Sequence, residues 1–515
     1  MPPLPLLRRA LALWLASGAV LTTAAQPAVA LQEIDLRLPI LQTSLSIRLK
    51  ELTSPSKLFA GNSDLAELDR ATNGAVGRKL VELFNASLPL QTKAVVNQAE
   101  GSPMLSQALL MLSSLGGIDG LPANLSDQKV SKALETAAAK GPLTMLTVLQ
   151  ALPGKTASVD LDRALSSVQR LARQLQPADR LLAAQPAATV NASLSQAGPL
   201  KVQRSETTIP VPHRPDLLRL VVISPTQGSN GRLVVISHGL WDSPASFEGW
   251  ASHLASYGYT VLLPYHPGSD QQQQQEMLSG RVPPPGPAEL RLRPLDVSAL
   301  IDAAAVGKLV LTPGLRTDEV VVLGQSWGGT TALQLAGARP SSARLQKRCS
   351  DLKDPSRNLS WVLQCSFMTT ADEAGLADRR VKAVVAVSPP MSLLFDAGAT
   401  QGMNGQVLVV SGSRDWVVPP GPEAIWPMAA AAREGGGGFR LVLAKGGDHF
   451  NLGARYEEGG GPLRGLLLAW VSGIFMSGPA VTPGSKTPAL LPPEGWGDVS
   501  VPLADVTGQL QSFTR

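Results

Sequence analysis

The chain has 515 residues, 44% of them hydrophobic and 17% charged, with a net charge of +5. That length allows two or three domains with a large apolar core. No dense Lys/Arg run carries interleaved aromatics, which argues against a nucleic-acid partner.

At the N-terminus, Arg8 and Arg9 precede an apolar stretch from Ala10 to about Ala25, and Ala28-Val29-Ala30 offers small residues for cleavage. Residues 1–30 therefore read as a secretory signal peptide and not a membrane anchor, because the apolar run is short and ends in a cleavage motif. The paired arginines hint at twin-arginine export. The expected location is outside the cytoplasm: periplasm, thylakoid lumen or medium, with no integral membrane anchor left after cleavage. Two cysteines, Cys349 and Cys365, complete the chain's thiol inventory. In an exported chain an even count argues for one disulfide, stabilising by about 3 kcal/mol if unstrained.

Residues 31–185 are rich in Leu, Ala, Gln and Lys. Val76, Leu80, Leu83 and Phe84 share one helical face, as do Leu161, Leu165, Val168, Ala172 and Leu175 behind the cap Asp160. This region is expected to be an all-helical accessory domain, with no metal-ligand or phosphate-loop pattern. Residues 186–200 read as a linker. Strands are then expected at Lys201–Val211, Leu217–Ser224, Leu233–Ser237, Thr260–Pro264, Val320–Leu323, Val381–Val387, Val407–Val410 and Leu441–Ala444, with helices at Phe247–Tyr257 and Leu463–Phe475. About eight strands alternating with helices imply an α/β class: a doubly wound, mostly parallel sheet over 201–477. Gln271–Gln275 reads as a solvated loop, and 343–379 as a cap insertion holding both cysteines. Residues 478–515 read as a Pro/Gly-rich tail of low order.

One segment carries chemistry. Gly324-Gln325-Ser326-Trp327-Gly328 lies between the apolar run Glu319–Leu323 and a helix start. Strand, G-x-S-x-G, helix is the setting of a nucleophile elbow, where glycines relieve clashes around a strained serine. A serine needs a base, and His449 is the one histidine after Ser326, placed just past an apolar strand. Asp415, after the strand Gln406–Gly412, is the first choice to orient that base, with Asp396 the runner-up; Asp448 reads as a loop carboxylate. The oxyanion donors are expected to be the N–H of Trp327 and that of Leu240, in Ser237-His238-Gly239-Leu240-Trp241, with Trp241 N–H a second choice. His238 reads as a support for that loop.

Those motifs, with Gly447-Asp448-His449-Phe450, resemble α/β-hydrolases of the dienelactone hydrolase and platelet-activating-factor acetylhydrolase type. The whole chain is similar to a narrower group, exported cyanobacterial α/β-hydrolases with an N-terminal helical domain of unknown function. That likeness rests on His266-Pro267-Gly268-Ser269-Asp270, Arg293-Pro294-Leu295-Asp296-Val297, Leu359–Cys365 and Val381-Lys382-Ala383-Val384. The resemblance implies a serine hydrolase fold and ester hydrolysis. In the acetylhydrolase type the acid follows the strand after the elbow helix; here that stretch, Val387-Ser388-Pro389-Pro390, has no carboxylate before Asp396, which favours Asp415 and argues against a phospholipid-acetyl substrate.

The expected function is therefore a carboxylic-ester hydrolase working through an acyl-enzyme, with a small-molecule or lipid ester as substrate and no metal or organic cofactor. Acyl transfer on the same residues and a non-catalytic binding or assembly role are the alternatives. Haloalkane dehalogenation is disfavoured, since on this fold it needs an aspartate at the elbow.

Overall fold

Short alternating segments and long β-branched runs give this chain two separate sheets. The computed structural model describes residues 30–514 apart from 39–42, 87–97, 100, 114–115, 119–131, 134, 138, 140, 312, 397–398, 400–402, 404, 435–437 and 477–490. The expected signal segment up to residue 29, residues 435–437 and the start of the tail lie outside the described residues.

The N-terminal region departs from the all-helical expectation. Helices are present, among them Asp64–Ala71, Ala75–Asn85, Pro103–Ser113, Met145–Ala151 and Leu161–Ala184. Four strands accompany them: β1 (Glu33–Leu38), β2 (Thr43–Arg48), β3 (Gly116–Ile118) and β4 (Thr156–Asp160), in the order β2-β1-β4-β3. The cause is a two-residue alternation: Ile34 and Leu36 of β1 face the same cluster as Leu45 and Ile47 of β2, where they meet Leu52, Leu58 and Leu65.

The helix Leu161–Ala184 begins where expected but buries a different face. Leu165 and Val168 are 48% and 64% exposed, whereas Gln174, Ala178 and Leu181 are buried. Its second half docks on the larger body through main-chain carbonyls as well as apolar atoms: Gln174 Nε2 donates to Pro355 O (3.2 Å) and Arg357 O (3.1 Å).

The larger sheet has nine strands: β5 (Val202–Ile209), β6 (Leu218–Pro225), β7 (Arg232–Ser237), β8 (Thr260–Pro264), β9 (Arg316–Gln325), β10 (Val381–Val387), β11 (Gln406–Gly412), β12 (Phe439–Ala444) and β13 (Leu503–Asp505). Their order is β13-β12-β11-β10-β9-β7-β8-β6-β5, with β8-β7-β9-β10-β11-β12 parallel throughout. The central strands are apolar on both faces, as parallel strands covered by helices must be. Val320 and Val322 enter one core with the helices Glu289–Ala305 and Trp327–Leu335; Val321 and Leu323 enter the other with Glu248–Ala255 and Arg464–Met476.

The chain end is structured, against the expectation of a poorly ordered tail. β13 pairs antiparallel with β12, and Trp496, Leu503, Val506 and Leu510 are buried. Gln271–Gln275 is helical, not a loop, within Gln271–Leu278; Asp270 caps it by accepting from Gln273 N–H (2.9 Å).

The insertion after the elbow helix carries short helices at Ala343–Arg348 and Trp361–Ser366. Cys349 and Cys365 are disulfide-bonded across 16 positions, with Cα atoms 5.8 Å apart. This layer has its own core of Trp327, Leu345, Trp361, Phe367 and Leu394, joined by Met104 from the N-terminal region. Glu423, buried beneath it, ties three segments together. Its carboxylate accepts from Asn358 Nδ2 (2.8 Å), Ser360 Oγ (3.0 Å), the N–H groups of Met391 and Ser392 (both 2.9 Å) and Ser392 Oγ (2.7 Å). Removing the carboxylate leaves the Met391 and Ser392 N–H groups and the Ser392 hydroxyl without their acceptor, which costs about 1–3 kcal/mol per group. Glu423→Ala is expected to lower unfolding stability by about 3 kcal/mol or more, read from urea denaturation; a change below about 1 kcal/mol would mean that water replaces the carboxylate.

Candidate active site

Strands β7, β9, β11 and β12 each end in a loop on the same edge of the sheet, the C-terminal edge where open α/β sheets gather their sites. The chain crosses from one side of β7 to the other between β8 and β9, opening a crevice there. Ser326, His449, Asp415 and Leu240 all stand on these loops.

Ser326 follows β9 with φ 53° and ψ −122°, a strained conformation for a residue with a Cβ. The two elbow glycines make it possible. A Cβ on Gly324 would fall on the Gly328 carbonyl, and one on Gly328 would fall on the Ser237 carbonyl. Ser326 Oγ lies 3.0 Å from His449 Nε2, and His449 Nδ1 lies 2.9 Å from Asp415 Oδ2. A carboxylate accepts only, so Nδ1 carries the proton, and Nε2 is left to accept from the serine hydroxyl. Asp415 Oδ1 accepts from the N–H groups of Val417 (3.0 Å) and Val418 (2.7 Å), which fixes the carboxylate. Gln325 Nε2 donates to His449 O (2.9 Å), so the elbow also holds the histidine loop.

Asp396 stands apart. It lines a separate, mostly apolar pocket with Arg344 and Met391. Asp448 Oδ1 accepts from Phe450 and Asn451 N–H, as a loop carboxylate would. Trp241 N–H donates to Ser269 O (2.8 Å), which removes the second-choice oxyanion donor. Leu240 N–H has no acceptor among the described residues. Trp327 opens its helix, so its N–H is one of those the helix leaves free.

Ser326 and His449 open into a pocket of about 490 Å³, lined also by Leu240, Trp241, Phe247, Gln274, Phe450 and Arg455. Its rim is mixed, with Asp242 and Glu458 beside the aromatic rings. Phe450 is 71% exposed and lies 6.3 Å, centroid to centroid, from Trp416. Among the described residues no cluster of three His, Cys, Asp or Glu is arranged to hold a metal ion.

Residues 232–344 match the model of the alpha/beta hydrolase fold family. The chain has the α/β-hydrolase fold. The match supports hydrolase-type activity. Among curated proteins no match to the chain is found.

Beneath the pocket lies a buried polar cluster that the sequence motifs marked without explaining. Asp296 accepts from His213 Nε2 (2.8 Å), from Arg214 Nη2 (2.7 Å) and from His266 Nδ1 (2.9 Å). Arg214 also pairs with Glu289 (2.7 Å). Glu289, Arg293 and Asp296 recur at i, i+4 and i+7 of one helix, and that spacing is the signal that could have found them. His238 supports its loop, as expected: its Nε2 accepts from His266 N–H (3.2 Å) and its Nδ1 donates to Gly239 O (2.8 Å).

Burial drives His238 and His266 of this cluster toward the neutral form. Loss of hydration, then the nearby Arg293 charge, pulls His238 well below the ordinary 6.5 and His266 to about 4. Burial also takes His253 to about 4. Each unfolded histidine takes a proton near pH 6.5 that the folded one refuses, so their stability contribution is full above that pH and is lost as pH falls toward 4. The melting temperature is expected to drop between pH 7 and 4.5, with protons taken up on unfolding at pH 5. A melting temperature constant over that range would show that these rings are charged in the folded protein.

Proposed function

We propose that this protein is an exported serine hydrolase that cleaves carboxylic esters through an acyl-enzyme. The observation that carries this reading is the hydrogen-bonded row Asp415–His449–Ser326 at the wall of an open pocket. Ser326 Oγ attacks the acyl carbon while His449 Nε2 takes its proton. Asp415 holds the ring in the required tautomer and stabilises the imidazolium. The Leu240 and Trp327 N–H groups receive the charge that develops on the carbonyl oxygen. His449 returns its proton to the leaving alcohol, and water then releases the acid by the same steps in reverse.

Export is supported by the charged and apolar N-terminal pattern and by the Cys349–Cys365 disulfide, which persists in oxidising compartments. Among the described residues no helix is long and apolar enough to cross a membrane. Aromatic side chains at the pocket mouth favour an ester with an apolar acyl or alcohol part, and the polar rim favours a substrate that stays partly hydrated.

Turnover of a chain-length series of p-nitrophenyl esters tests the reading. Ser326→Ala is expected to lower kcat by about 10⁶-fold, to background. Equal rates in the two proteins would end the esterase account. Asp415→Asn is expected to lower kcat by about 10⁴-fold, whereas Asp396→Asn is expected to stay near the parent rate; the reverse ranking would move the acid to Asp396.

A further inference from the structure

We propose that Arg293 is the positioning residue of the oxyanion site, a buried guanidinium that aims the Leu240 N–H at the reacting carbonyl; the proposal rests on the esterase reading above. Arg293 is fully buried, yet its hydrogens are spent on main chain and a hydroxyl, not on a carboxylate. Nη1 donates to His238 O (2.7 Å), Nη2 to Gly239 O (3.1 Å) and to Ser269 O (3.2 Å), and Nε to Ser269 Oγ (2.9 Å).

The Gly239 carbonyl is the informative acceptor. It belongs to the same peptide unit as the Leu240 N–H. A trans peptide is planar, with its C=O and N–H pointing in opposite directions. A carbonyl pinned inward by Arg293 Nη2 and His238 Nδ1 therefore turns the Leu240 N–H outward, to the side where Ser326 lines the pocket. The same guanidinium lies over the Trp327 ring, its Cζ 4.3 Å from the centroid. One cation thus touches Trp327 and the Gly239 carbonyl of the peptide that carries the Leu240 N–H.

The histidine that shares the Gly239 carbonyl is itself held. His266 donates its N–H to His238 Nε2, and Asp296 and Ser237 hold the His266 ring (2.9 Å each). Ser237, His266 and Asp296 repeat the hydrogen-bonding order of the active row, but all three are fully buried and reach no substrate. Their product is a fixed orientation of one peptide. Preorganised donors of this kind need no rearrangement as charge develops.

Three variants carry the test: Arg293→Met, Arg293→Lys and Ser269→Ala, which removes one anchor of the guanidinium. For each, kcat and KM on a p-nitrophenyl ester are measured beside the inhibition constants of two ligands. One is an alkyl trifluoromethyl ketone, whose carbonyl takes the Ser326 oxygen and places its electron pair on an oxyanion while His449 takes the proton. The other is the product carboxylate, which forms no such adduct. Arg293→Met is expected to lower kcat and trifluoromethyl ketone affinity together by about 10- to 100-fold, with KM and product inhibition within about threefold. Arg293→Lys should recover part of that loss, and Ser269→Ala should lose about threefold to tenfold. Parent-like kcat and ketone affinity in folded Arg293→Met would overturn the proposal, as would equal losses for ketone and product. If the methionine variant does not fold, the lysine and alanine variants decide by the same comparison. Unchanged kcat in these variants of an active enzyme sinks the positioning role alone; an inactive parent protein sinks the esterase reading and the proposal with it.

Discussion

The central strands of the large sheet are dry on both faces, and that constraint organises everything polar around them. A side chain that must meet water or a substrate cannot stand within β7, β9, β10, β11 or β12; it can stand only where those strands end. The sequence follows this along the middle of each strand, where runs such as Val320–Leu323 and Ala383–Val387 give way to Ser, His, Asp and Gly at the C-terminal edge, while exposed charges such as Asp318 and Lys382 are kept to the N-terminal ends. Because the strands are parallel neighbours, residues distant in the chain arrive within hydrogen-bond reach of one another. Asp415, His449 and Ser326 are joined in this way, across 34 and 123 positions.

Below that edge the molecule keeps a second polar layer, sealed from solvent. Burying Arg293, Asp296, His238 and His266 would be costly if any of them lacked partners. Each has them, and several partners are main-chain carbonyls of the loop after β7. Charge is thereby converted into backbone rigidity in a loop that also contains the strained Trp241 at φ 57°. Glu423 does a comparable job on the other side of the site, where one carboxylate collects donors from the cap insertion and from the segment after β10.

Much of this was legible in the sequence. All eight expected strands of the large sheet are present, and Ser326, His449 and Asp415 are brought together as a row, because alternation, burial and the elbow motif leave strong local patterns. What stayed hidden depends on packing between distant segments. In the Leu161–Ala184 helix, Leu165 and Val168 of the expected apolar stripe are in fact exposed, since the face that docks carries Gln174, bonded to carbonyls of Pro355 and Arg357, with Ala178 and Leu181. The glutamine run looked idle because composition does not reveal that Gln273 accepts from Trp241 Nε1 (2.8 Å) and donates to Pro283 O (2.7 Å). The folded chain end escaped notice because β13 is three residues long and owes its existence to the partner strand.

That short strand also settles how the sheet meets its surroundings. A nine-stranded sheet has two raw edges, and a long flat apolar edge invites another chain to pair with it. Here one border is β5, whose middle residues Arg204, Glu206 and their neighbours are exposed and charged or hydroxylated, with Arg204 paired to Glu248 at 2.8 Å. The other border is β13, too brief to template a partner strand. The sheet is closed to strand addition by charge at one margin and by brevity at the other. Without β13, β12 would itself become the open margin, and the loop that carries His449 runs directly on from it.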